Sequence, residues 1–261
     1  MGGVVQDWEH IDFAVEDTIG QVWMDRPPVN AVNGAMYLEI KRFFSDVETH
    51  LPQARVIVLR GRGRHFCGGN DLAEFQTMTP GNAAERMRLV REAFWAIYDC
   101  PVPVIAAVHG AALGTGLAIA ASCDLVVAAE GARFGLPEVN VGVMGGAKHL
   151  SRLVPQGVVR RLHLQGDPVP AAELQPYGGI CEIVPEDQLD GAARDLARSI
   201  ARHSPAVLRF AKRSLNAIEY LPLKEGYELE QGLTGELSAY ADAKEAVNAL
   251  VERRAPVYTG R

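Results

Sequence analysis

The stretch Phe66-Cys67-Gly68-Gly69-Asn70-Asp71-Leu72 follows a short apolar run that predicts a buried strand. A second stretch, His109-Gly110-Ala111-Ala112-Leu113-Gly114-Thr115-Gly116, follows another such run. Each predicts a tight turn from a strand into a helix; we call them the first corner and the second corner. Glycine suits such a turn because it has no Cβ and leaves backbone N–H groups open to a ligand. Two corners that face one point could bind an anion or an oxyanion.

Composition is typical of a soluble globular protein. Of the 261 residues, 48% are hydrophobic and 22% are charged, and the formal net charge is -6. The acidic balance argues against a nucleic-acid partner, which usually requires a basic patch. The length suits one core with a helical tail, and we expect a core domain at residues 1–200 and a helical region at residues 201–261.

The sequence also bears on location and on metal sites. The start, Met1 to Asp7, has neither a basic segment nor an apolar segment, and no apolar run approaches the roughly 18 residues of a membrane span. We therefore expect a cytoplasmic protein with no membrane partner. The four cysteines are scattered without a CxxC pair, which predicts no disulfide framework and no metal site.

Strands and helices alternate along most of the chain. Several runs are apolar on both faces, which indicates a sheet covered on both sides, as in an α/β fold. The predicted elements are a hairpin from His10 to Asp25 with its turn at Asp17 to Gly20, strands at Val56 to Leu59, Val104 to Val108 and Leu125 to Ala129, helices from Met36 to about His50, Asn82 to Tyr98 and Leu117 to Ser122, and mainly helices from Ala147 onward, with Ser204-Pro205 as a helix start.

Several common motifs are absent. Gly61-Arg62-Gly63 and Gly114-Thr115-Gly116 both lack the third glycine of a dinucleotide-binding loop. Gly142 to Lys148 lacks the Gly-Lys-Ser/Thr core of a phosphate loop. The chain contains neither HExxH nor G-x-S-x-G, so zinc proteolysis and ordinary serine hydrolysis have no support.

A set of ordered motifs resembles the crotonase superfamily, the enoyl-CoA hydratase/isomerase family, over nearly the whole chain. The motifs are Asp25 to Ala31, Arg64 to Leu72, Pro103 to Gly110, Gly114 to Gly116, Cys123 to Leu125, Phe134 to Val139 and Glu245 to Arg254. The resemblance implies a crotonase-like α/β fold of repeated β-β-α units in two roughly perpendicular sheets. It also implies C-terminal helices that form homotrimers or hexamers, and acyl-CoA thioester substrates. No cofactor is implied, because coenzyme A is part of the substrate.

The resemblance implies a role for the two corners in stabilising an oxyanion. The thioester carbonyl of such substrates lies between two backbone N–H groups, which correspond here to those of Asn70 and Thr115. Donors fixed in this way stabilise an enolate oxyanion, and losing one typically costs about 10²–10³ in rate. Glu138 matches the second of the two glutamates that hold water in a typical hydratase.

The first glutamate is missing, because Ala118 occupies its position. One carboxylate suits double-bond isomerisation or C–C hydrolysis better than hydration. The run from Val143 to His149 is also shorter than in hydratases, as in a branch of the family linked partly to ring opening of cyclic diketone-CoA esters. The alternatives are thus a hydratase or isomerase with a single glutamate, a ring-opening CoA-ester hydrolase, and an acyl-CoA-binding homologue with little turnover.

The remaining candidates concern substrate binding and are carried over from the family by position. They are Val29 and Ala31 along the CoA-contacting segment, Gly69, Asp71 and Gly114 at the corners, and Arg253 and, more weakly, Arg26 near the phosphates. For both arginines the alternative is a solvated surface side chain, and Asp71 is also expected to cap the helix that follows it. Lys148 and His149 could assist catalysis, but basic groups at a helix start are the simpler interpretation.

Overall fold

The computed structural model of the protein describes residues 8–260. The segment from Met1 to Asp7, in which we found no targeting signal, lies outside the described residues. Within them, no helix is both long enough and apolar enough to cross a membrane.

A six-stranded sheet forms the centre of the fold. Its strands run in the order β1-β2-β3-β4-β6-β9, with the β1–β2 pair antiparallel and the other pairs parallel. The bounds are β1 Ile11–Glu16, β2 Ile19–Met24, β3 Val56–Gly61, β4 Val104–Val108, β6 Leu125–Ala129 and β9 Glu182–Val184. Strand β4 is buried along its whole length, as its apolar sequence predicts.

A smaller sheet lies beyond the carboxyl ends of β4 and β6. It contains β5 (Ala111–Leu113), β7 (Arg133–Gly135) and β8 (Val169–Pro170), with β7 between the other two. Since β5 belongs to the second corner, this sheet connects that corner to the residues that follow β7.

Helices lie on both faces of the large sheet, and others follow toward the C-terminus. They are α1 Gly34–Ser45, α2 Val47–His50, α3 Leu72–Phe75, α4 Ala83–Tyr98, α5 Thr115–Ser122, α6 Ala147–Leu150, α7 Gln156–Gln165, α8 Ala171–Leu174, α9 Leu189–Ala201, α10 Pro205–Ile218, α11 Leu223–Leu237 and α12 Ala241–Glu252. Helices α1, α4 and α5 pack into one apolar core, and α9 packs on the opposite face of the sheet. The predicted alternation of strands and helices is therefore confirmed.

One predicted helix is divided. The sequence from Met36 to His50 predicts a single helix, but α1 ends at Ser45 because Asp46 has φ −131° and ψ 37°, outside the helical region. Within α1, Leu38 is 44% exposed despite its apolar side chain, whereas Tyr37 is 4% exposed.

Helix α10 begins at a serine cap and is joined to the core by an ion pair. Ser204 caps α10, as predicted, and accepts a hydrogen bond from the Val207 backbone N–H at 3.3 Å. Farther along α10, buried Lys212 pairs with Asp124 at 2.8 Å, next to the start of β6.

Candidate active site

The two corners are hydrogen-bonded to each other. The Cys67 N–H donates to the Ala111 carbonyl at 2.9 Å, and the Leu113 N–H donates to the Cys67 carbonyl at 3.0 Å. Gly116 makes this approach possible, since a Cβ there would lie 2.2 Å from the Cys67 carbonyl oxygen. The structure thus brings together the two corners that the sequence placed 40 residues or so apart.

At each corner the local hydrogen bonding leaves the candidate backbone N–H group open. Around the first corner, the Val32 N–H donates to Gly69 and the Asp71 N–H donates to Val32, so that Asn70 between them is skipped. Thr115 is the first residue of α5, where an N–H has no partner within the helix. Within residues 8–260, neither the Asn70 nor the Thr115 N–H donates a hydrogen bond to the chain.

The side chains of the same two residues meet at Tyr37, which the sequence analysis did not identify. The Tyr37 hydroxyl oxygen lies 2.5 Å from Asn70 Oδ1 and 2.8 Å from Thr115 Oγ1. Burial raises the pKa of Tyr37, so the group is a neutral hydroxyl at physiological pH. The sequence contained one indication of this contact. Tyr37 follows Met36 in the apolar pattern of α1, and a buried tyrosine hydroxyl usually requires a hydrogen-bond partner.

A cavity of about 960 Å³ opens beside the corners. Seven of the candidate residues line it: Arg26, Val29, Ala31, Gly69, Asn70, Asp71 and Glu138. Apolar side chains of Leu72, Phe75, Met78 and Val143 also contribute to its walls. Gly114 and Thr115 are not among the lining residues, but Gly114 lies against Glu138. The structure therefore gathers most of the predicted site around one opening.

Glu138 lies on a 3-10 helix, Pro137–Val141, directly after β7. The Gly114 N–H donates to the Gly135 carbonyl at 2.9 Å, and this pairing holds Glu138 beside the second corner. The side chain is buried, with the residue 7% exposed, and its Oε2 has no partner within the described part of the chain. Burial raises the pKa of Glu138, while its own backbone N–H acts in the opposite direction.

Asp71, the other carboxylate lining the cavity, has a different environment. It caps α3, as predicted, and accepts hydrogen bonds from the Ala73 and Glu74 N–H groups at 2.9 and 3.3 Å. The bond from the Glu74 N–H and the one from Arg26 lower the pKa of Asp71. Ala118 is buried in the core, one turn into α5. Glu138 is consequently the cavity carboxylate whose surroundings favour the protonated form, as a proton-transfer group requires.

The basic candidates are arranged in different ways. Arg26 donates to the Ala31 carbonyl at 2.8 Å and to Asp71 at 2.6 Å, so its guanidinium holds the cavity wall together. Arg253 follows α12 and does not line the cavity.

Lys148 and His149 also lie outside the lining. The Lys148 ammonium lies 3.9 Å from the centre of the Tyr220 ring. The His149 ring packs edge-on against Phe94, and burial lowers the pKa of His149 to about 4. Both residues lie in α6, Ala147–Leu150, and a role of either in catalysis stays a prediction.

The sequence is similar to those of known proteins over most of its length. The sequence model for the enoyl-CoA hydratase/isomerase family matches residues 14–261. A (7aS)-7a-methyl-1,5-dioxo-2,3,5,6,7,7a-hexahydro-1H-indene-carboxyl-CoA hydrolase of Rhodococcus jostii (strain RHA1) is 40% identical over 92% of this chain and 93% of that protein. A 2,3-dehydroadipyl-CoA hydratase of Escherichia coli (strain K12) is 35% identical over 91% of this chain and 94% of that protein.

The fold agrees as well. The crystal structure of an enoyl-CoA hydratase from Bacillus anthracis overlaps with a TM-score of 0.90 at 27% identity, covering 97% of this chain and 100% of that one. The predicted crotonase-like α/β fold is thereby confirmed. The chain belongs to the enoyl-CoA hydratase/isomerase family, whose substrates are acyl-CoA thioesters.

Proposed function

We propose that this enzyme opens a ring by hydrolysing a C–C bond in a cyclic ketone carried as a CoA thioester. The observation that supports this most is the pair formed by Glu138 and Ala118: one buried carboxylate with an open oxygen, and a methyl group where a second carboxylate would stand in a hydratase. The Rhodococcus relative, named as a hydrolase of a dioxo-indene-carboxyl-CoA, supports the same choice.

The proposed reaction requires one proton-transfer group. Glu138 takes a proton from water as the water oxygen bonds to the ring ketone carbon. The adjacent C–C bond then breaks, and its electron pair moves into conjugation with the thioester carbonyl as an enolate. Glu138 returns the proton to the carbanion carbon. The product is a carboxylic acid that still carries the CoA thioester, and Glu138 is ready for another cycle.

The oxyanion is the second requirement. We assign the Asn70 and Thr115 backbone N–H groups as the donors to the thioester oxygen, since both lie open at the joined corners. The N-terminus of α5 adds a positive partial charge at Thr115. Such donors stabilise the enolate more than the ground-state carbonyl, which lowers the barrier to C–C cleavage.

Substrate binding is assigned by position around the cavity. Val29 and Ala31 supply backbone along the CoA chain, with Gly69 and Gly114 allowing close approach at the corners. Asp71 shapes the wall through its helix cap and through Arg26, and Arg253 remains our candidate for a phosphate contact. The reaction requires water and no separate cofactor, because CoA enters with the substrate.

Product mass tests the proposal. The protein is incubated with 2-enoyl-CoA, 3-enoyl-CoA and cyclic diketone-CoA esters. Ring opening adds the mass of one water to the diketone ester, and fragmentation then shows a new carboxylic acid. Water added only to 2-enoyl-CoA would instead identify a hydratase, and a moved double bond without a mass change would identify an isomerase.

Glu138→Gln separates catalysis from simple binding. We expect it to lose about 10²–10⁴ in kcat, the usual contribution of general acid–base catalysis. Its affinity for the thioester should be nearly unchanged. Unchanged residual turnover with intact thioester binding would remove the catalytic assignment of Glu138 and favour an acyl-CoA-binding protein with little turnover.

We also propose that the chain assembles into a homotrimer or hexamer. Large apolar side chains on the C-terminal helices face outward, with Leu223 87%, Leu250 80% and Val251 77% exposed in the single chain. Exposure of this kind commonly marks an interface. Light scattering on the purified protein gives the mass of the assembly, and a monomer would contradict the proposal.

A further inference from the structure

One atom connects the two halves of the proposed oxyanion site. The Tyr37 hydroxyl oxygen contacts Asn70 Oδ1 at 2.5 Å and Thr115 Oγ1 at 2.8 Å. Asn70 belongs to the first corner and Thr115 to the second, while Tyr37 belongs to α1, a third element. The side chains at both corner positions therefore have a shared partner that is not part of either corner.

The direction of these hydrogen bonds follows from the number of protons. A tyrosine hydroxyl has one proton to donate, and here it is donated to Asn70 Oδ1. The Thr115 hydroxyl must then be the donor in its contact with Tyr37. The result is an ordered series of bonds, from Thr115 through Tyr37 to Asn70, in which each hydroxyl proton has an acceptor.

Tyr37 is itself held in place. It is 4% exposed, and its ring packs edge-on against Phe94 with the ring centres 6.1 Å apart. The Gly34 N–H at the start of α1 donates to both carboxylate oxygens of Glu74, at 3.1 and 2.9 Å. Because Glu74 lies in α3, directly after the first corner, this contact joins α1 to that corner independently of the Tyr37 bonds.

We propose that Tyr37 is a positioning residue that fixes the separation of the Asn70 and Thr115 backbone N–H groups by joining their side chains. The inference rests on the proposed oxyanion site and adds a residue to it. Two donors act together only if both reach the same oxygen, so a small movement of one corner weakens both bonds to the enolate. Removing the hydroxyl also leaves Asn70 Oδ1 and the Thr115 hydroxyl without their shared partner.

Infrared difference spectroscopy measures the effect without turnover. The probe is butyryl-CoA labelled with ¹³C at the thioester carbonyl, because hydrogen bonds to that oxygen lower its stretching frequency. In the wild type we expect the bound carbonyl to absorb at lower frequency than the free thioester. In Tyr37→Phe the band should move back toward the free value and broaden.

Steady-state kinetics give the second measurement. They use the CoA ester that the product-mass experiment identifies as the substrate. Tyr37→Phe should lower kcat by about 5- to 30-fold, as expected for the loss of one well-placed polar contact. KM should change little, since the residues lining the CoA path are untouched. Thr115→Val should lower kcat similarly, and Thr115→Ser should restore it. In the Thr115→Val background Tyr37→Phe should add little, because the connection between the two corners is already broken there.

Tyr98→Phe is the matched control. Its hydroxyl also has two partners, the Asn216 carbonyl at 3.1 Å and Glu219 at 2.9 Å, but these lie away from the cavity. We expect the carbonyl band and kcat of this variant to match those of the wild type. Thermal unfolding of each variant shows whether it is folded, and if Tyr37→Phe is not, the Thr115 variants test the same contact.

Three outcomes are distinct. In the first outcome the carbonyl band shifts on binding to the wild type, and Tyr37→Phe and Thr115→Val both retain that shift. This would overturn the role of Tyr37 while leaving the oxyanion site intact. No shift in the wild type would overturn the oxyanion site together with this inference. A wild-type shift that both variants lose would support the role of Tyr37 even if product mass shows a reaction other than ring opening.

Discussion

A Cβ atom on Gly114 would lie 2.8 Å from Oε1 of Glu138. The backbone of Gly114 has φ +53° and ψ −113°, a combination that residues with a Cβ rarely adopt. The glycine therefore serves two purposes at the second corner. It turns the chain into α5 at Thr115, and it leaves the space that the Glu138 carboxylate occupies beside it.

Gly114→Ala is predicted to lower kcat by about 10²-fold, since a displacement of about 1 Å at a reacting group can cost that much. The added methyl meets Oε1 and forces Glu138 or the corner to move. The strained backbone should also lower the free energy of unfolding by about 1–3 kcal/mol. Steady-state kinetics and urea unfolding measure the two effects.

Gly63→Ala is the control for strain alone. Gly63 also has a positive φ, +75°, but a Cβ there would meet nothing within 4 Å. We expect it to lose about 1 kcal/mol of stability and to keep its kcat. If both variants lose activity equally, the contact between Gly114 and Glu138 does not explain the result.

The sequence predicted the features that depend on neighbouring residues. Strand β6 has the predicted bounds, Leu125–Ala129, because five consecutive apolar residues suffice to indicate a buried strand. The two corners and the helix cap at Asp71 were also predicted, because each depends on residues that are adjacent in the sequence. Tyr37 was missed because its partners lie 33 and 78 residues away, and no local pattern indicates which distant group a buried hydroxyl meets.

Glu138→Gln is predicted to be more stable than the wild type at neutral pH. Burial raises the pKa of Glu138 above its ordinary value of 4.5, so the native state keeps this proton to higher pH than the unfolded chain. Stability of the wild type should fall as pH rises from 4.5 through the raised pKa, because a buried carboxylate then becomes charged. Glutamine is uncharged at every pH in this range, so the variant has no charge to bury.

The measurement is the difference in Tm between the variant and the wild type, taken from about pH 4 to about pH 8 in steps of roughly one pH unit. The difference should grow with pH and then become constant. The trend is compared with that of Glu225→Gln, which removes one exposed carboxylate of α11. A Tm difference for Glu138→Gln that does not change with pH would mean that this carboxyl titrates as in the unfolded chain.

Arg26→Met is predicted to impair acyl-CoA and acyl-pantetheine substrates by the same factor, about tenfold in kcat/KM. The Arg26 guanidinium donates to Asp71 and to the Ala31 carbonyl, so its loss loosens the cavity wall for any thioester. Acyl-pantetheine lacks the CoA phosphates and thus isolates phosphate binding. A defect confined to acyl-CoA would show that Arg26 contacts phosphate, which is the result we expect of Arg253→Met.

Lys212→Met is predicted to destabilise the protein by about 3 kcal/mol, because it removes one partner of a largely buried ion pair. The Lys212 ammonium is 2.8 Å from Asp124 and also donates to the Ile97 and Val102 carbonyls. Asp124 in turn accepts the Val104 N–H at 2.7 Å, at the start of β4. The change should therefore lower the urea midpoint by loosening α10 from the sheet.

Two further variants test whether the charge of Asp124 is responsible. Lys224→Met, at an exposed position of α11, should shift the urea midpoint little. Asp124→Asn in the Lys212→Met background should recover part of the loss, since it removes the carboxylate that Lys212 neutralised while keeping an oxygen that accepts the Val104 N–H. If the double variant is less stable than Lys212→Met, the packing of the lysine stem rather than charge pairing holds α10 to the sheet.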